Sequence, residues 1–390
     1  MRKMMKKTVA MAMATMMAMS MVACGGNKEA GESGGDGGDQ KVLRIGCMGP
    51  LTGAAASYGI SVKEGAIVAV NEINEKGLDG EKLDVKLELI SEDDQADPQI
   101  ATNAYSKLIS DDIHVLLGPT TSGACLAVNK LAQKDNLLMV TPSGSANGIT
   151  DPENVYRICF TDPLQGIKIA DLMADTLKYT KVALLYDVSS DYGKGIHDAF
   201  VKQAKEKGLE IVADQSFSAG DKDFKTQLTT IKSSGAEVVF VPGYYQEASF
   251  ILTQAHQNGV ILPFIGSDGW DGVTAQLGDK VDVANGALFL SPFFSADTAD
   301  NVKNFVELYE KEFKKTPDQF AADAYDGIYA IVKAYKMAGS SDSNKLQEAI
   351  KDVEIDGVTG KFSFDEHGEP NKDAKYIKIH DGQYTLFEVK

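Results

Sequence analysis

The chain has 390 residues, a formal charge of −17 and only four cysteines. That length exceeds one ordinary core and predicts two lobes, while the acidity, with no basic stripe, excludes nucleic acid as a partner. Four cysteines and five scattered histidines supply neither a disulfide framework nor a metal-ligand spacing, so no metal and no cofactor is expected.

In chain order, the first segment does not read as part of the fold. Arg2, Lys3, Lys6 and Lys7 precede sixteen uncharged residues, Thr8 to Ala23, too few to span a bilayer and patterned as an export signal. Its end, Met21-Val22-Ala23-Cys24-Gly25, resembles a bacterial lipoprotein signal, which implies that residues 1–23 are removed and Cys24 is lipidated. Residues 24–41 follow as a tether, with seven glycines among the sixteen residues from Gly25 to Gln40. Such a composition cannot pack a core. The expectation is a folded body held outside the cytoplasm on a membrane by a lipid anchor.

Beyond the tether, strand and helix signals alternate. Val42–Cys47 reads as a strand, and a helix capped by Ser57 runs to about Glu75, with Ile60, Ala66, Ile67, Val70 and Ile73 as its apolar stripe. Strands at 83–90, 113–117 and 137–140 alternate with helices at 98–109 and 122–133. A strand at 155–160 closes this half. The pattern restarts with strands at 182–186, 209–217, 238–241, 264–266 and 288–291, separated by helices at 192–206, 224–233 and 248–257. Helices return at 302–313 and 321–337, and the chain ends in short antiparallel strands. This predicts an α/β protein of two doubly wound parallel-sheet lobes joined by a multi-strand hinge. Lobe 1 takes residues 42–160 plus about 293–355; lobe 2 takes about 161–292 plus 356–390.

Two loops carry the functional signal. Gly118-Pro119-Thr120-Thr121-Ser122-Gly123 and Thr141-Pro142-Ser143-Gly144-Ser145 each follow a strand, where open α/β sheets bind ligands and helix N-termini offer free N–H groups. Ser and Thr there can also simply cap helices. Gly118 and Gly123 have the spacing of a phosphate loop, but Ala124 and Cys125 replace its Lys and Ser/Thr, so a nucleotide is excluded and a carboxylate fits. From the second lobe, Asp268 at a strand end can pair an ammonium or cap a helix. Tyr192 and Tyr244 also end strands, and Trp270 either walls a pocket or fills the lobe. No nucleophile–base pair is visible, so no enzyme is expected. Cys47, Cys125 and Cys159 read as buried free thiols.

Together, Gly46-Cys47-Met48-Gly49-Pro50-Leu51-Thr52-Gly53, Tyr58-Gly59, the two loops, Arg157 to Gly166 (RICFTDPLQG), Asp191-Tyr192-Gly193 and Tyr325-Asp326 carry a resemblance over nearly the whole mature chain. The chain resembles the branched-chain amino-acid-binding proteins of ABC importers, with the type I periplasmic-binding fold. The resemblance implies a monomer that binds an amino acid and delivers it to ABC permease subunits. It assigns the ligand carboxylate to Ser122 and Ser145, and the ammonium to Ser143, Asp268 and Tyr244. The side-chain pocket falls to Tyr58, Thr120, Thr121, Gly144, Tyr192, Trp270 and Phe320. Thr120 and Thr121 stand where branched-chain binders often carry apolar groups or Cys, and Asp268 where Glu is commoner, which implies a more polar or differently sized pocket. The alternative is a sensing module of the same fold for an amide, a small acid or another amino-acid-like molecule.

Overall fold

The computed structural model describes residues 41–389. The signal, Cys24 and the tether lie outside the described residues, except Lys41, which opens the first strand rather than ending the tether.

The first lobe begins with β1 (Lys41–Gly49), α1 (Ala56–Lys76), β2 (Val85–Asp93), α2 (Pro98–Ser110), β3 (Val115–Leu117), α3 (Ser122–Lys134), β4 (Met139–Thr141) and β5 (Val155–Arg157). Its five strands are all parallel, in the order β2-β1-β3-β4-β5. The chain then crosses into the second lobe through α4 (Asp162–Asp171), β6 (Lys181–Asp187), α5 (Asp191–Lys207), β7 (Glu210–Phe217) and α6 (Lys225–Ser233). There follow β8 (Val238–Val241), α7 (Tyr245–Gln257), β9 (Phe264–Gly266), α8 (Val273–Leu277) and β10 (Leu288–Ser291). A second crossing returns it for α9 (Asp300–Phe313), α10 (Gln319–Ala338), α11 (Ser343–Ile350) and the hairpin β11 (Glu354–Gly357) and β12 (Gly360–Ser363). A third leads to β13 (Lys375–His380), which adds antiparallel to β10, and β14 (Gln383–Leu386), antiparallel to β13, in the order β14-β13-β10-β9-β8-β6-β7.

Both lobes are therefore doubly wound, and three connections join them. The hairpin corrects the expected boundary at 355. Asp326 of α10 accepts the Val358 and Thr359 N–H groups at 2.9 and 3.0 Å, so the hairpin rides on lobe 1 and the third crossing follows Ser363.

Helix α1 is slightly longer than expected at both ends, and its expected stripe holds at Ala66, Val70 and Ile73 but not at Ile60. Ser57 lies inside it, not at its cap. Ile60 faces solvent, and Tyr58, Val62, Ala66, Ala69 and Ile73 are buried. The reason is α10. At Gly65 a Cβ would stand 2.0 Å from the Ala321 carbonyl oxygen, so glycine lets the two helix backbones touch and fixes which face turns inward. Three elements escaped the sequence reading. Helix α4 starts on a Thr161 cap with Pro163 in its first turn, an arrangement compatible with a helix start although proline breaks helices elsewhere. Helix α11 and strand β11 were also missed, being short and mostly polar.

Candidate functional site

The loops after β3 and β4 are stitched to each other. The Thr141 hydroxyl donates to the Pro119 carbonyl at 2.7 Å and accepts the Gly144 N–H at 2.9 Å. The Ser143 hydroxyl donates to the Thr120 carbonyl at 2.7 Å. Ser122 Oγ accepts the N–H groups of both Ser145 and Ala146, each at 3.2 Å. A serine hydroxyl has one proton and two acceptor sites. With both acceptor sites filled, the Ser122 proton is free to be donated into the cavity that Ser122 lines. Capping is not the role of these side chains: Thr121 holds the N-cap position of α3 without a capping hydrogen bond. Its buried hydroxyl has no partner among the described residues and also lines the cavity. The first-turn N–H groups of α3 add the donors that a helix start leaves free.

Arg157 holds this pair of loops from behind. It is 1% exposed, and its two terminal nitrogens each donate at 3.1 Å, to the Gly144 and Ala146 carbonyls. Its Nε lies 2.8 Å from Glu369. Gly144 and Ser145 therefore shape the loop but do not line the cavity. Gly144 sits against Cys125 and Thr141, and the Ser145 hydroxyl is buried outside the cavity wall, on the side of Asp162. Cys47, Cys125 and Cys159 are free and buried, and burial pushes the Cys47 and Cys125 thiols up to about 12, which leaves them inert packing groups.

Opposite stands the turn after β9. Asp268, 4% exposed, accepts the Tyr192 hydroxyl, which also reaches Ser267 Oγ at 2.7 Å and accepts the Gly269 N–H at 2.9 Å. The Asp268 N–H donates to Gln165 Oε1 at 2.9 Å, and the Asp268 carbonyl accepts from Gln319 Nε2 at 2.6 Å. Burial raises the carboxyl to about 6, against the pull of the Tyr192 and Gln165 hydrogen bonds. Tyr192 thus positions Asp268 and also forms cavity wall. Tyr244 packs beside it, with ring centres 5.1 Å apart. Tyr58 bridges the lobes: its hydroxyl donates to the Gly269 carbonyl and accepts the Tyr245 N–H at 3.1 Å, and its ring lies 4.2 Å from that of Phe320.

The structure thus brings Tyr58, Thr120, Thr121, Ser122, Ser143, Tyr192, Tyr244, Asp268 and Phe320 around one cavity. Trp270 is a correction. It is wholly buried with its indole N–H on the Val241 carbonyl at 2.9 Å, and its ring lies so close on Gly266 that any Cβ there would overlap it at 2.1 Å. It fills lobe 2 and does not line this cavity. Sequence reasoning missed Gln165 and Gln319 as partners of Asp268. The RICFTDPLQG motif contained Gln165, but only the fold shows what its side chain meets. The cavity is small, ≈ 10 Å³, about the room of one water. Anything of amino-acid size enters only when the lobes part.

The family model described as periplasmic binding protein matches residues 42–383. The chain belongs to this family. Among its relatives, a Leu/Ile/Val-binding protein of Rhizobium johnstonii is 33% identical over 332 residues, 84% of this chain and 88% of that protein. A leucine-, isoleucine-, valine-, threonine- and alanine-binding protein of Pseudomonas aeruginosa is 29% identical, over 89% and 92%. Among solved structures, the branched-chain amino acid transporter substrate-binding protein LivJ of Streptococcus pneumoniae, in complex with isoleucine, superposes with a TM-score of 0.82 at 31% identity, covering 89% of this chain and 99% of that one. Periplasmic binding proteins that serve ABC importers are extracytoplasmic. Among the described residues of this one, no helix is long and apolar enough to cross a membrane.

Proposed function

We propose that this periplasmic binding protein is the substrate-binding component of an ABC importer and binds a branched-chain or similar amino acid between its lobes. The observation that carries the reading is the opposition of charge partners across one cavity. On one side are hydroxyl and N–H donors at the start of α3, and on the other is the buried Asp268 carboxylate. A zwitterion satisfies both at once, and either charge buried without its partner would be costly. The names of the relatives and the isoleucine bound in the Streptococcus structure agree with that chemistry. In this reading the ligand carboxylate meets Ser122 and the first N–H groups of α3, and Ser145 supports that loop from behind. The ammonium lies by Asp268 and the Ser143 carbonyl. Tyr244 closes beside the ammonium, and Thr120, Thr121 and Phe320 face the side chain.

Closure about the three connections buries the ligand and presents the closed form to the permease subunits. Lipidation of Cys24 after removal of residues 1–23 anchors the protein to the membrane. The test is a thermal-shift screen of the ligand-stripped protein against the proteinogenic amino acids. A ligand at 100 times its dissociation constant adds about 2.7 kcal/mol of stability. Leu, Ile or Val, or a near relative such as Thr or Ala, raises the melting temperature. A flat response to all of them rejects the reading.

A further inference from the structure

On the far side of the 268–271 turn lies a second chamber between the lobes, of about 360 Å³. That is a ligand-sized volume, far larger than the ≈ 10 Å³ left in the amino-acid cavity. Two carboxylates face it, one from each lobe. Asp318 caps α10, accepting the Ala321 N–H at 3.0 Å and the Ser61 hydroxyl at 2.6 Å. Asp271, 5% exposed, accepts the Gln319 N–H on Oδ2 at 3.1 Å, and its Oδ1 takes no hydrogen bond from the described residues. It points along the same wall as Tyr384, whose hydroxyl accepts the Gly272 N–H at 3.1 Å.

Neither carboxylate makes an ion pair among the described residues. Lys315, on the wall, is held by Glu64 at 2.7 Å, and Glu64 also accepts the Tyr309 hydroxyl. A buried carboxylate beside a half-buried one, with no cation paired to either, is unfavourable, so a proton or a cation has to supply positive charge. Burial and the neighbouring Asp318 raise Asp271 to about 8. The remaining walls choose between kinds of cation. No group of three or more metal-ligating side chains is present among the described residues, while Phe289, Phe293 and Phe294 offer apolar and aromatic surface.

We propose that this chamber is a second ligand site for a small organic amine, its ammonium held between Asp271 and Asp318 and its apolar body against the phenylalanines. Because the two acids belong to different lobes, the amine binds the closed arrangement. It therefore strengthens amino-acid binding, and the amino acid strengthens amine binding by the same factor.

Titration calorimetry at pH 8 with benzylamine, and with benzyl alcohol as its uncharged counterpart, tests the site on the full chain. Because Asp268 also attracts an ammonium, the Asp268→Asn variant separates the two cavities. The expected result is one benzylamine per chain with no binding of benzyl alcohol. That binding survives in Asp268→Asn and weakens at least tenfold in Asp271→Asn. It weakens likewise in Ala275→Phe, which fills the chamber from its exposed rim and leaves both acids intact should Asp271→Asn fail to fold. Absence of benzylamine binding at millimolar concentration overturns the proposal. So does equal binding of the alcohol, or loss of binding in Asp268→Asn alone.

Discussion

The two halves of the cleft are built differently. The half from lobe 1 is complete within its own lobe: its hydroxyls and carbonyls bond to each other, and Arg157 secures them from behind. The half from lobe 2 leans on the other lobe. Gln319 of α10 holds the Asp268 carbonyl, the Asp271 carboxylate accepts the Gln319 N–H, and Tyr58 of α1 donates to the Gly269 carbonyl. The donors of lobe 1 are thus fixed before closure, whereas the turn that carries Asp268, though Tyr192 and Gln165 hold it within lobe 2, gains its Gln319 and Tyr58 contacts only when the lobes meet. In the proposed reading this division sets an order of events: the ligand would dock by its carboxylate on lobe 1, and closure would then bring the Asp268 turn against it.

The comparison is sharpened first by removing Arg157. Arg157→Met leaves the half-buried Glu369 without its ion-pair partner and two buried carbonyls without their donor, and breaking a buried ion pair costs up to about 3–5 kcal/mol. Urea unfolding should show that loss with and without ligand, because the lobe 1 half does not depend on closure. A loss confined to the ligand-bound protein would break the comparison. The next effect is that of Asp268→Asn. Hydrogen bonds to charged groups are worth about 1.5–3 kcal/mol, so calorimetric affinity for the amino acid should fall by roughly 10- to 150-fold. An unchanged affinity removes Asp268 from the ammonium role.

The pH dependence follows from the same acid. Burial raises the Asp268 carboxyl to about 6, and the ammonium needs the ionised form. Below that pH the carboxyl holds a proton that the ligand displaces, so affinity should drop about fivefold as pH falls from 6 to 5 and approach tenfold per unit below that. Above about pH 7 this contribution should be flat. The smallest effect is that of Gln319→Ala, which removes one neutral donor from the closed form at about 0.5–1.5 kcal/mol. Amino-acid affinity should fall about two- to tenfold, mainly through faster release in stopped-flow measurements. If release is unaltered, the clamp on the 268–271 turn is not part of closure.

Much of this was legible in the chain. The strands at 238–241, 264–266 and 288–291 agree with β8, β9 and β10 residue for residue, because short apolar runs between turn signals leave little freedom. The two hydroxyl loops and Asp268 were found because ligands in such folds sit at strand ends. What escaped were interactions between residues far apart in sequence. Gln319 meets Asp268 from 51 positions away, and nothing in the local pattern of either reveals it. Trp270 could not be placed from sequence, since a lone Trp at a strand end suits a pocket wall and a core equally. Its stacking on Gly266 decides for the core. The expected stripe of α1 failed at Ile60 because the position of α10 sets the buried face more strongly than periodicity does.

The central claim is that the cleft reads both charges of a zwitterion. It is tested most directly by calorimetry of the ligand-stripped protein at pH 7.5, comparing L-isoleucine with 3-methylpentanoate, the same molecule without its amino group. The account predicts that isoleucine binds at least 10- to 150-fold more tightly than the acid, the margin set by losing a charge-assisted partner for Asp268. Equal affinity would contradict it and make the protein a receptor for small acids.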